Sequence, residues 1–158
     1  STPAAGRGYC GAMRSAFGLV ACLLLAGCDG TMEMPDAGVT SGVVLTVTAA
    51  ASRDQINGVA PRTGYQYYLL DTTIEARGVG PISIAPFAFQ LTLEDGTRVI
   101  ADSRTNELVD GCTSQMIAVG ETVVCRLAFL ALLDATPPAT LVWTDMIRRA
   151  SAVVPPLG

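Results

Sequence analysis

The chain contains no histidine, and none of its ten basic residues is lysine. Without imidazole there is no histidine general base, no Ser-His-Asp or Cys-His pair and no histidine metal ligand. Without lysine there is no Schiff-base amine and no phosphate-cradling P-loop. Acid–base chemistry is left to carboxylates, tyrosines and thiols. Two further absences bear on architecture: there is no internal repeat, and no long segment carries a helical period of apolar residues.

What is present sorts by position. All fourteen acids lie at or after Asp29, whereas Arg7 and Arg14 precede it. From Asp29 onward eight arginines face fourteen acids, a net charge of −6. An acidic domain without a basic patch is a poor partner for nucleic acid. It also gains nothing electrostatically from anionic headgroups, so attachment to a membrane falls to acyl chains.

The N-terminal stretch reads as targeting and not as fold. Met13-Arg14-Ser15 offers a start and one positive charge. An apolar run of roughly 11 residues follows, the length of a signal-peptide core and too short to span a bilayer as an uncleaved anchor. It ends in Leu25-Ala26-Gly27-Cys28, which resembles a bacterial lipobox: a large aliphatic residue, two small ones and a cysteine. The resemblance implies cleavage before Cys28, a diacylglycerol on the Cys28 thiol and a place in the bacterial cell envelope. Asp29 leaves the choice of inner or outer membrane open.

Cysteine counting agrees. Of Cys10, Cys22, Cys28, Cys112 and Cys125, the first two leave with the signal and the third is acylated. Two remain, the number for one disulfide in an oxidising compartment, and Cys112–Cys125 is the expected pair. Their spacing and surroundings do not suit a redox pair, which favours Cys-x-x-Cys and positive neighbours.

The expected organisation is a signal peptide over residues 1–27, a lipidated cysteine and linker over 28–41, a folded domain over 42–146 and a loose tail over 147–158. The linker contains Met32 and Met34, which would need a third ligand to hold Cu(I). From Gly42 the chain alternates. Leu45 and Val47 point one way, Thr46 and Thr48 the other. In the long run from Tyr65 to Arg77, residues Tyr68, Leu70, Thr72, Ile74 and Ala76 share the core face. A short edge piece is expected at 82–85. Phe87, Phe89, Leu91 and Leu93 then alternate up to Asp95-Gly96, a type I′ hairpin signal. Further strands are expected at 97–101, 122–130 and 139–145, with a short one at 107–109. Val123, Cys125, Leu127, Phe129, Leu141 and Trp143 face inward. About seven short strands separated by turns read as an antiparallel immunoglobulin-like β-sandwich, an all-β fold.

The segments Gly64-Tyr65-Gln66-Tyr67-Tyr68-Leu69-Leu70-Asp71-Thr72-Thr73-Ile74-Glu75-Ala76, Phe89-Gln90-Leu91-Thr92-Leu93-Glu94-Asp95-Gly96, Val119-Gly120-Glu121, Cys125-Arg126-Leu127-Ala128-Phe129 and Leu141-Val142-Trp143 together resemble the DUF4352, telokin-like family of exported immunoglobulin-like domains found on bacterial lipoproteins. The resemblance covers roughly residues 43–145. It implies a fold and an exported location and brings no catalytic residue, cofactor or ligand. Ala76-Arg77-Gly78 stands where many relatives have Asn-Gly.

The functional reading is a non-enzymatic, lipid-anchored module that contacts another envelope protein or component. Tyr65 and Tyr67 lie on the face opposite the core and form its candidate interaction surface. The alternative is a small-ligand or Ca²⁺-binding receptor domain. Asp102, Asn106, Glu107 and Asp110 supply the oxygens for it, although their spacing does not match an EF-hand. Asp54 and Asn57 are a weaker set. Glu94-Asp95 reads as a hairpin tip, since glycosidase chemistry needs two carboxyls facing across a cleft. No cofactor or metal is expected.

Overall fold

A computed structural model describes residues 42–78 and 80–158. The predicted signal peptide, Cys28, the predicted linker with Met32 and Met34, and Val79 of the predicted Gly78-Val79-Gly80-Pro81 break lie outside the described residues. No α-helix occurs among the described residues.

The described residues form nine strands: β1 (Val43–Arg53), β2 (Tyr65–Ala76), β3 (Ile82–Ile84), β4 (Phe89–Leu93), β5 (Arg98–Ile100), β6 (Gln115–Ile117), β7 (Thr122–Leu132), β8 (Pro138–Thr144) and β9 (Arg149–Val153). One sheet has the order β1-β2-β7, the other β5-β4-β8-β9, and β3 pairs with β6 alone. Every pairing between strands is antiparallel. The architecture is the immunoglobulin-like β-sandwich that the sequence pattern predicts.

The core lies between the sheets. From β2 come Tyr68, Leu70, Thr72, Ile74 and Ala76, from β4 Phe89, Leu91 and Leu93, from β7 Cys125, Leu127 and Phe129, and from β8 Leu141 and Trp143. All are predicted core positions, set by the period of two. Tyr68 keeps its hydroxyl at the rim, where it donates to Ala135 O at 3.3 Å. Trp143 is fully buried, and its indole Nε1 meets no acceptor among the described residues.

The structure corrects the sequence reading at several points. The register of β1 against β2 shifts between Val47 and Ala49. The extra residue reverses the alternation, so the buried series is Leu45, Val47, Ala50. Phe87 is not in the alternating strand. Pro86 opens a 3-10 turn, Pro86–Ala88, which swings Phe87 into solvent at 77% exposure. The hairpin at Asp95-Gly96 is not type I′, because only Gly96 has positive φ (84°). Gly96 N donates to Leu93 O and Leu93 N to Thr97 O. This is the three-residue loop with a left-handed glycine.

Residues 107–109 are not a strand. A 3-10 turn, Ser103–Glu107, occupies the crossing and leaves Val109 almost wholly exposed. The strand over 122–130 runs on to Leu132 without a helical turn.

The predicted loose tail over 147–158 is also overturned. Arg149–Val153 pairs with β8 as β9, Val154 is buried, and Gly158 N donates to Ala50 O at 3.0 Å. Its inward residues are small, so the strand carries little hydrophobic signal. The domain therefore extends past residue 146, and with β6 and β9 the strand count rises from about seven to nine.

Candidate functional site

Cys112 and Cys125 are disulfide-bonded, with Cα atoms 4.8 Å apart. The chain at 110–112 runs parallel to β7. Arg126 N donates to Asp110 O at 2.7 Å and Cys112 N to Arg126 O at 2.9 Å. Thr72 Oγ1 donates to Cys125 O at 2.8 Å beneath the bridge. Both cysteines are buried. The bridge clamps the segment carrying β6 onto the main sheet and presents no thiolate to solvent.

The two tyrosines of the candidate surface part company. Tyr65, at the start of β2, is half-buried, and the Arg62 guanidinium lies 3.7 Å from its ring centroid. Tyr65 lines two open clefts. One of about 480 Å³ is walled by residues 52–54 and 60–66, and one of about 340 Å³ lies against Leu93, Val99 and residues 130–132. Leu133 is exposed beside the first cleft.

Tyr67 is only 4% exposed and does not belong to an open surface, contrary to the sequence expectation. It packs with Ile56 and Ala128 in a second small core flanked by Leu69, Leu108 and Leu130. Two loops cover this outer face of the sheet. Thr105 Oγ1 accepts from Ala128 N at 3.0 Å, and Asn57 Nδ2 donates to Glu107 O. The signal was present as apolar residues on both faces of β2 and β7, the pattern of a strand covered on both sides.

The acidic loop is engaged in its own folding. Asp102 Oδ1 caps the 3-10 turn by accepting from Arg104 N at 2.8 Å. Glu107 pairs with Arg104. Among the described residues no group of three or more Cys, Asp and Glu side chains is placed to hold a metal ion. Asp95 Oδ1 accepts from Thr97 N at 2.8 Å, and that bond holds its carboxyl below the ordinary aspartate value. It is a turn residue.

Sequence reasoning missed an apolar groove of about 660 Å³ between the 3-10 turn Pro86–Ala88, the β3–β6 pair and the β8–β9 turn. Phe87, Met116, Met146 and Ile147 stand around it, the last three at 62%, 101% and 85% exposure. Asp145 builds the β8–β9 turn. Its Oδ1 accepts from Ile147 N (2.9 Å) and Arg148 N (2.7 Å), and its Oδ2 from Arg148 Nε (2.8 Å). Arg148 Nη2 also donates to Pro81 O at 2.9 Å. A turn made rigid from within thus pushes two large apolar side chains outward. Scattered single apolar residues on a surface need no explanation, but a contiguous group does.

Burial alone would push the Asp145 carboxyl up. The Ile147 and Arg148 backbone donors and the Arg148 guanidinium outweigh it and hold the carboxyl below its ordinary value. A carboxyl lowered in the folded chain adds stability that is fully present above the unfolded value of about 4 and is lost as pH falls through the folded one. Asp145→Asn is expected to cost about 1–2 kcal/mol near neutrality, the worth of charge-assisted hydrogen bonds. Urea titrations of variant and parent should converge as pH drops below about 4. A constant gap down to the acid limit would remove the carboxylate from this role.

Among the described residues no helix is long and apolar enough to cross a membrane. No curated protein matches the sequence. The fold is similar to MPT63, a secreted protein from Mycobacterium tuberculosis, with 17% identity and a TM-score of 0.49, covering 71% of this chain and 81% of that one. It is also similar to a "putative lipoprotein (ycdA)" from Bacillus subtilis subsp. subtilis, with 11% identity and a TM-score of 0.53. That match covers 70% of this chain but 35% of the Bacillus chain, and it speaks to the fold alone. The DUF4352 model, described as a domain of unknown function, matches residues 37–151, and the chain belongs to that family.

Proposed function

We propose that this chain is a lipid-anchored β-sandwich lipoprotein of the bacterial envelope, held at Cys28, whose domain works outside the cytoplasm as an interaction module without catalysis. The observation that carries the interaction reading is Tyr65 under the Arg62 guanidinium between two clefts. Tyrosine and arginine are among the side chains enriched as energetic anchors of interfaces, and their stacking pre-organises both. The lipobox-like Leu25-Ala26-Gly27-Cys28 supports the anchor. The partner is another envelope protein or component, read by shape and stacking at the Tyr65 end of the sandwich.

A photo-crosslinking residue in place of Leu133, beside the cleft, tests this in intact cells. A discrete adduct is expected, and Tyr65→Ala should reduce its yield at least about tenfold, the loss of an anchor worth 1.4 kcal/mol or more. An adduct insensitive to Tyr65→Ala would move the interface elsewhere. Mass spectrometry of the N-terminal peptide checks the anchor, with an acylated Cys28 expected and an unmodified one disproving it.

A further inference from the structure

The exposed apolar groove lies at the end of the sandwich where the chain enters the domain. Gly42 O accepts hydrogen bonds from Arg77 N (2.6 Å) and Gly78 N (2.7 Å). Pro81, three residues on, is bonded to Arg148 of the β8–β9 turn. Gly120 N donates to Ala76 O, so the turn carrying the half-exposed Val119 belongs to the same end. Entry point, Val119, Met116, Phe87, Met146 and Ile147 thus share one pole. Tyr65 and the β4–β5 hairpin lie at the other ends of their strands.

Charge separates the poles too. Near the entry, Arg77, Arg148 and Arg149 balance Glu75, Glu121 and Asp145. Glu75 is paired with Arg77, Asp145 with Arg148, and Glu121 accepts from Ala118 N. The rest of the described domain is acidic. The apolar pole is therefore the neutral one, where approach to an anionic surface meets least repulsion.

We infer that this pole, led by Met146 and Ile147 on the β8–β9 turn with Phe87 and Met116 beside them, docks on the lipid surface to which Cys28 tethers the chain. The inference rests on the lipid-anchored reading of Cys28. Thirteen residues separate Cys28 from Gly42, and they span at most ~50 Å when fully extended. The tether confines the pole that it enters to the neighbourhood of the bilayer, and confinement makes a weak apolar contact effective. Shallow insertion removes exposed apolar side chains from water and points the Tyr65 end away from the membrane, towards a partner.

The test uses the acylated mature chain, from Cys28 onward, which carries no free thiol once residues 1–27 with Cys10 and Cys22 are removed, Cys28 is modified and the disulfide is formed. A single cysteine is introduced as Ile147→Cys, Met146→Cys or, at the far hairpin, Glu94→Cys, and labelled with a polarity-sensitive fluorophore. The chain is reconstituted in vesicles of phosphatidylethanolamine and phosphatidylglycerol containing a lipid with a quencher on its upper acyl chain. Emission from positions 146 and 147 is expected to fall roughly by half, because a docked tip sits ~5–10 Å into the interface, while position 94 stays unquenched. Anchored protein with no quenching at 146 or 147 overturns the docking and leaves the anchor standing. An emission shift at 147 that grows with protein density without lipid quenching assigns the pole to a second copy and also overturns it. Protein that stays in the aqueous fraction overturns the anchor and the docking together.

Discussion

Replacing Cys112 and Cys125 together by alanine is expected to lower stability by about 3 kcal/mol, the value for releasing a loop of this size in the unfolded chain. For a domain of this length that corresponds to a fall in Tm of about 10–15 °C. The bridge has a sequence separation of 13 and encloses β6 together with the 118–121 turn. Its loss frees β6, the partner of β3 among the described residues. Hydrogen exchange should therefore accelerate first in residues 113–121 and in β3, while the β1–β2–β7 ladder stays protected. A Tm within two or three degrees of the parent would show that the parallel contact at 110–112 suffices without the covalent link.

Gly111→Ala is the second large effect. The constraint is space and not backbone conformation. An added Cβ would lie 1.9 Å from Thr105 O, a backbone atom with no freedom to swing aside. The 3-10 turn must move away from β7, and the hydrogen bonds between Thr105 Oγ1 and Ala128 go with it. The loop that roofs Tyr67 lifts, so one methyl group opens the second small core. The expected cost is about 3 kcal/mol, at the upper end of typical overpacking. Gly96→Ala is the comparison. That glycine has φ of 84° with nothing within 4 Å of an added Cβ, so only the left-handed strain remains, about 1–2 kcal/mol. Urea melts that rank the two in the opposite order would refute the packing argument.

Where the sequence was informative, the reason is periodicity. The inner faces of β2, β4, β7 and β8 alternate with a period of two and are mostly large and apolar, and such a face leaves little choice of register. The disulfide followed from redox arithmetic. The failures occur where local chemistry breaks the period. Pro86 starts a turn that ejects Phe87, and one extra residue near Thr48 reverses the facing of β1. In β9, Ala150 and Ala152 are too small to announce a buried strand. Tyr67 misled for a different reason. Apolar residues on both faces of β2 and β7 signal that the outer face is covered, but the cover comes from distant loops, here those bearing Ile56 and Leu108, which no window around Tyr67 contains. The apolar groove is illegible for the same cause, since it is assembled from residues near 87, 116 and 146.

The ladder between β1 and β2 joins ten residue pairs, from Val43 opposite Ala76 to Arg53 opposite Tyr67. Gly42 lies at one end of it and Tyr65 at the other. A pull on Gly42 against a grip near Tyr65 drags β1 lengthwise along its neighbour, in shear, so the pairs must yield together instead of opening singly as a zipper does. Under such force survival is governed by the rate of unfolding and not by the equilibrium. The five pairs that join β9 to β8 present a much shorter seam.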